Sequence, residues 1–226
     1  MAQGSLNGPR LNPASGGKAK QLVILCHGYG SDGNDLIGLA PHWQELLPDA
    51  AFVSPNAPER CEMSPMGYQW FGIGSFNESE RLAGARRAAP ILDAFIDEEL
   101  ERHGLTEREL ALVGFSQGTL MSLHVGLRRE RPLAGIVGFS GALAGTDSLE
   151  NEIAARPPVL LVHGDRDEMI PVAALHKAVG VLGAAGVPVQ WHVSPGLGHS
   201  IDMMGLKLGG EFLAAGFAGK LPVGNE

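Results

Sequence analysis

Ser116 stands at the centre of Gly114-Phe115-Ser116-Gln117-Gly118, after the apolar run Leu110 to Phe115 and before Thr119 to Arg129, a stretch that reads as a helix. A serine at the apex of strand, sharp turn and helix is the setting in which G-x-S-x-G marks a nucleophile. Such a turn strains the serine backbone, and side chains two residues to either side would collide with it, so glycines stand there. The hydroxyl is then raised at a helix N-terminus, whose free N–H groups favour negative charge. In a chain with 32 glycines among 226 residues the five-residue pattern is weak by itself, and its place between strand and helix gives it weight. A plain tight β-α turn is the alternative reading.

A serine hydroxyl is a poor nucleophile at neutral pH and needs a base within hydrogen-bond reach and a group that orients the base. Where an elbow of this kind carries a triad, the chain order is Ser, then Asp or Glu, then His. Downstream, Leu160 to Val162 leads into His163-Gly164-Asp165-Arg166-Asp167-Glu168-Met169-Ile170-Pro171. Asp165 follows the Gly164 turn and suits bracing the loop. Asp167 lies farther out, before a helix opened by Pro171, and is favoured as the orienting acid, although Asp is also common in turns and caps. Of eight histidines, His42, His103 and His176 fall on helices or their ends and read as solvated. His124 reads as a packed core residue, and His192 lies within a strand. His199 follows the last strand in Ser194-Pro195-Gly196-Leu197-Gly198-His199 and opens the last helix, so it is the candidate base.

Acyl chemistry also needs donors for a developing oxyanion. The backbone N–H of Gln117, directly after the serine, is one candidate. The N–H of Tyr29 is the other, in His27-Gly28-Tyr29-Gly30 after the first buried strand, where flanking glycines allow close approach.

The elements that must position these residues alternate. Gln21 to Cys26, Ala50 to Ser54, Leu110 to Phe115, Leu133 to Phe139, Val159 to Val162 and Val187 to Val193 read as strands. Asn34 to Leu47, Glu80 to His103 with a kink or restart at Pro90, Thr119 to Arg129, Val172 to Gly186 and Ile201 to Ala218 read as helices. The pattern gives an α/β fold with a mostly parallel sheet and ligands at the C-terminal strand ends. Residues 1–20 read as a loose arm or edge hairpin, and 21–220 as one domain. Pro55 to Ser79 is a long irregular stretch carrying Met63, Met66, Tyr68, Trp70 and Phe71. It is either a loop packing its own aromatics or the apolar wall of a substrate pocket.

At 44% hydrophobic and 19% charged, the composition is that of a soluble globular chain. A net charge of −8 and the lack of a basic run exclude a general nucleic-acid binder. No apolar run approaches the ~20 residues that span a bilayer, and Met1 to Asn7 shows no secretory pattern. Cys26 and Cys61 have no metal spacing and read as reduced thiols in a cytoplasmic protein. No H-E-x-x-H or paired C-x-x-C points to a metal. Gly28-Tyr29-Gly30-Ser31-Asp32-Gly33 is formally G-x-G-x-x-G, but the next strand ends in Ser54-Pro55-Asn56 without the acid a ribose needs. Gly138-Phe139-Ser140-Gly141-Ala142 imitates the elbow but lacks its second glycine, and Ser140 reads as a strand-end serine.

Together, His27-Gly28-Tyr29-Gly30-Ser31-Asp32-Gly33-Asn34, the Ser116 elbow, His163-Gly164-x-x-Asp167-x-x-x-Pro171 and Gly198-His199 resemble the phospholipase/carboxylesterase family of α/β-hydrolases, from about Gln21 to the last helix. The resemblance implies an α/β-hydrolase fold without a large cap domain. It implies a triad of Ser116, Asp167 and His199, an oxyanion hole of the Tyr29 and Gln117 N–H groups, and an acyl side lined around Trp70 and Phe71. It implies no cofactor, a small-molecule ester as substrate, and homodimers as in many members. Tyr29, where thioesterase members more often carry leucine, favours a carboxylesterase of short- to medium-chain esters. An acyl-protein thioesterase or lysophospholipase with the same triad is the alternative, and a non-catalytic scaffold is the alternative of another class.

Overall fold

The computed structural model describes residues 6–74 and 77–224; Met1 to Ser5 of the N-terminal arm and Ser75 and Phe76 of the long loop lie outside the described residues. Among the described residues nine strands are present: β1 (Arg10–Leu11), β2 (Gln21–Cys26), β3 (Ala50–Val53), β4 (Glu59–Arg60), β5 (Tyr68–Gln69), β6 (Leu110–Phe115), β7 (Gly135–Phe139), β8 (Val159–Gly164) and β9 (Val189–Ser194). The α-helices are α1 (Gly33–Leu36), α2 (Glu78–His103), α3 (Gln117–Gly126), α4 (Leu149–Glu152), α5 (Ala173–Ala184) and α6 (Met203–Phe217).

Seven strands form one sheet in the order β1-β3-β2-β6-β7-β8-β9, with β1 antiparallel to β3 and every other pair parallel. The continuous apolar runs follow from helices on both faces. Along β2, Leu22, Ile24 and Cys26 join a core with residues of α2, α3 and α5. The alternate residues Val23 and Leu25 join a second core with Trp43, Leu47 and Leu206, Phe212 and Leu213 of α6. This is the α/β-hydrolase architecture that the resemblance implies, and no large cap covers it among the described residues. Because β2, β6, β7, β8 and β9 run parallel, the turns after them gather at one sheet edge.

Three expectations change. Asn34 to Leu47 is not one helix: α1 is a single turn capped by the Asp32 carboxylate, and Ile37–His42 winds as 3-10 helix through Gly38 and Pro41, poor residues for an α-helix interior. The segment from Pro55 holds a small hairpin, with Glu59 facing Gln69 and Arg60 facing Tyr68. Pro90 does not restart α2, which runs unbroken for 26 residues. Pro90 and Arg86, whose carbonyl the proline leaves unpaired, both lie on the exposed face, where water can satisfy that carbonyl.

Candidate active site

Ser116 leaves β6 with φ 54 and ψ −116, a conformation unfavourable for a residue with a Cβ, and α3 begins at the next residue. The Ser116 N–H donates to the Phe139 carbonyl of the neighbouring strand at 2.9 Å, which fixes the turn. A Cβ on Gly114 would collide with the backbone of Gly118 and Thr119, and one on Gly118 with the carbonyls of Cys26 and His27. The elbow glycines are therefore required by close packing of β6, α3 and the end of β2. No side chain caps α3, so its first N–H groups remain free to meet negative charge.

Asp167 and His199 come from the turns after β8 and β9. His199 Nδ1 lies 2.8 Å from Asp167 Oδ2. Asp167 Oδ1 accepts the N–H groups of Met169 and Ile170 at 2.9 and 2.8 Å, so the carboxylate is held from behind by its own loop. Burial alone would raise the Asp167 pKa; the Ile170 N–H, His199 and His163 outweigh it and hold the carboxyl below its ordinary value. An ionised acid on Nδ1 keeps the proton there and leaves Nε2 of His199 as a lone pair. His163, fully buried, adds a second imidazole to the acid, with Nε2 3.2 Å from Asp167 Oδ2 and 2.7 Å from the Ile170 carbonyl. Asp165 instead accepts the Gly196 N–H at 2.6 Å and ties the β8 turn to the β9 turn.

Ser116 and His199 line one cavity of about 390 Å3. The His199 ring packs against Phe115, centroids 4.9 Å apart, so the imidazole sits over the residue preceding the serine. Among the described residues the Ser116 hydroxyl has no hydrogen-bond partner; such contacts often tighten only when substrate is bound.

Tyr29 and Gln117 line the same cavity, and neither backbone N–H donates to a protein acceptor among the described residues. The Tyr29 N–H has a fixed direction. Ala57 N–H donates to His27 Nε2 at 2.9 Å, so the neutral ring carries its proton on Nδ1 and donates it to the Gly28 carbonyl at 2.7 Å. Burial pushes the His27 pKa down and keeps that neutral form. In a trans peptide the C=O and the following N–H point opposite ways, so anchoring Gly28 O aims the Tyr29 N–H away from His27.

Phe71, Ile73, Phe115, Leu120, Ile170 and Pro171 give the cavity an apolar lining, and Ser31, Asp35 and Arg81 add polar and charged groups to it. Of the four expected pocket residues, only Phe71 lies there. Met63 and Met66 are 80% and 83% exposed, because the β4–β5 hairpin carries them outward. Trp70 is buried with its indole N–H on the His27 carbonyl at 3.0 Å, so it braces the loop from behind. Ile73, Leu120 and Ile170 went unnoticed in the sequence. Leu120, one turn after the elbow, and Ile170, three residues after the acid, were legible as neighbours of the triad. Two larger grooves, about 560 and 610 Å3, contain none of the triad or oxyanion residues, although Trp70 lines the first.

The formal dinucleotide fingerprint has no phosphate cradle: the Asp32 carboxylate already occupies the N-terminus of α1. No group of three metal-ligating side chains occurs among the described residues, and none of their helices is long and apolar enough to cross a membrane. Cys26 and Cys61 are unpaired and buried.

Comparison with known proteins agrees with this geometry: residues 13–216 match the model of the family described as Phospholipase/Carboxylesterase. The chain belongs to that family. It is 32% identical over 186 residues to esterase YpfH of Escherichia coli, covering 81% of this chain and 78% of that protein. It is also 32% identical to acyl-protein thioesterase 1 of Schizosaccharomyces pombe over 174 residues, 74% of this chain and 76% of that one. Among solved structures, esterase PE8 superposes with a TM-score of 0.89 at 46% identity, covering 92% of this chain and 98% of PE8. SOBER1 of Arabidopsis thaliana superposes with a TM-score of 0.73 at 26% identity, over 87% and 98%. The protein is a serine hydrolase acting on ester bonds, not a ligand-binding scaffold.

Proposed function

We propose that this protein is a carboxylesterase of short- to medium-chain esters working through an acyl-enzyme. His199 Nε2 takes the Ser116 proton as Ser116 Oγ attacks the ester carbonyl. The Tyr29 and Gln117 N–H groups receive the oxyanion, and Asp167 holds the imidazole tautomer and stabilises its charged form. His199 then protonates the departing alcohol and activates the water that releases the acid. The observation that carries this reading is the 2.8 Å contact of His199 with a buried, doubly anchored Asp167, on the same cavity as a strained, unpaired Ser116. A cavity of about 390 Å3 lies at the small end of ligand pockets, roughly 300–1,000 Å3, which supports short acyl chains over long ones. The relatives named acyl-protein thioesterase 1 support a thioester as the second reading. Hydrolysis of p-nitrophenyl esters from acetate to palmitate, beside an acyl thioester series, tests both. A rate maximum at acetate to octanoate with weak thioester cleavage is expected. A maximum at palmitate would move the assignment to the thioesterase or lysophospholipase reading.

A further inference from the structure

The Gln117 side chain has no part in the mechanism above, yet it is 93% buried and satisfied on both ends. Its Oε1 accepts the Trp70 N–H at 2.9 Å, and its Nε2 donates to the Phe71 carbonyl at 2.8 Å. Those two backbone groups have no other partner among the described residues. One residue therefore does two things. Its N–H lines the cavity beside Ser116, and its carboxamide ties down the loop that brings Phe71 to the same cavity. The Phe71 ring is wedged against Gly84 of α2, where any Cβ would collide with it, so the wall is braced from outside by the helix and from inside by Gln117. Further ties of this loop run to the β2 turn: Gly30 N–H to the Tyr68 carbonyl, Tyr68 N–H to the Ser31 carbonyl, and Trp70 Nε1 to the His27 carbonyl. The loop bridges the two backbone segments that offer oxyanion donors, and Gln117 is its link to the elbow.

We infer that the Gln117 carboxamide is a positioning residue. It locks the Phe71 acyl wall to the elbow, so that acyl-chain selectivity and oxyanion geometry are set by the same amide. This rests on the esterase reading. Two substitutions test it. Gln117→Leu keeps the volume but leaves the Trp70 N–H and Phe71 C=O buried and unpaired. Gln117→Glu is finer: a neutral carboxyl can accept from Trp70 and donate to Phe71 as the amide does, whereas the ionised carboxylate has no proton for Phe71.

The assay measures kcat and KM for p-nitrophenyl acetate, butyrate and octanoate from pH 6 to 9, with melting temperature and fluorophosphonate labelling of Ser116. For folded Gln117→Leu, kcat falls about a hundredfold, the loss typical of ~1 Å misplacement, and the octanoate-to-acetate ratio of kcat/KM shifts. For Gln117→Glu, the ratio of variant to wild-type kcat/KM falls as pH rises and the carboxyl loses its proton for Phe71. If Gln117→Leu does not fold, the pH ratio of Gln117→Glu decides. Folded variants that keep kcat within about threefold, far below the cost of a misplaced group, with unchanged chain ratio and a flat pH ratio, overturn the inference. A wild type that neither cleaves these esters nor labels at Ser116 overturns the esterase reading itself, and this inference with it.

Discussion

Gly114-Phe115-Ser116 closes β6 and Gly138-Phe139-Ser140 closes β7, in register, with Phe115 facing Phe139. Both serines carry positive φ, 54 and 46 degrees, and both donate their N–H to the next strand along, Ser116 to Phe139 and Ser140 to Val162. Both backbones thus sit at the positive φ that favours glycine. Ser140 is fully buried, its hydroxyl donates to the Ser200 carbonyl at 3.3 Å, and the next helix, α4, starts only at Leu149. Ser116 is half-buried, its hydroxyl is unpaired, and α3 opens immediately after it. Strain marks a turn that the fold insists on. A free hydroxyl at an open helix start marks one available for chemistry.

The contrast breaks most sharply at the hydroxyls themselves. Ser116→Ala should lower ester turnover by about a millionfold, measured with p-nitrophenyl butyrate, and comparable loss in Ser140→Ala would erase the distinction. Asp167→Asn tests whether the Ser116 site depends on a distant acid. It favours the wrong imidazole tautomer, and kcat should fall about ten-thousandfold with the circular dichroism spectrum unchanged.

A third experiment extends the contrast to histidines. His124, on the buried side of α3, has an Nδ1 without a partner among the described residues; burial first, and Arg128 second, push its pKa down to about 4. The folded chain keeps it neutral where the unfolded chain would protonate it, so its stabilising contribution is present above about pH 6.5 and is lost as pH falls through about 4. The whole window is worth at most about 3 kcal/mol, and in denaturant unfolding His124→Leu should flatten the pH dependence between these limits without changing the pH profile of turnover. The smallest effect belongs to Ser140→Ala, which loses one hydroxyl donor, about 1 kcal/mol of stability, and keeps turnover within about tenfold.

What the sequence made legible divides along physical lines. Gln21 to Cys26 and Leu110 to Phe115 were readable to the residue, because a strand covered on both faces is a nearly continuous apolar run, ended here at His27 and at Ser116. That Asp167 and His199 meet was readable because each follows a strand at the same sheet edge. The pocket wall was not. A concentration of methionine and tryptophan says that apolar surface exists but not which way a hairpin turns it, and β4 and β5 send Met63 and Met66 outward. The positive φ that Ser116 and Ser140 share was invisible too.

The short strand β1 has one more effect. Lying antiparallel on β3, it occupies one margin of the sheet, while β9 at the other margin has β8 as its sole partner among the described residues and exposes Trp191. A chain trimmed to begin after Leu11 would uncover the pairing groups of Phe52 and Val53 as well. Two bare margins in place of one would let molecules stack rim to rim without end, so precipitation on storage should accompany the loss of these eleven residues.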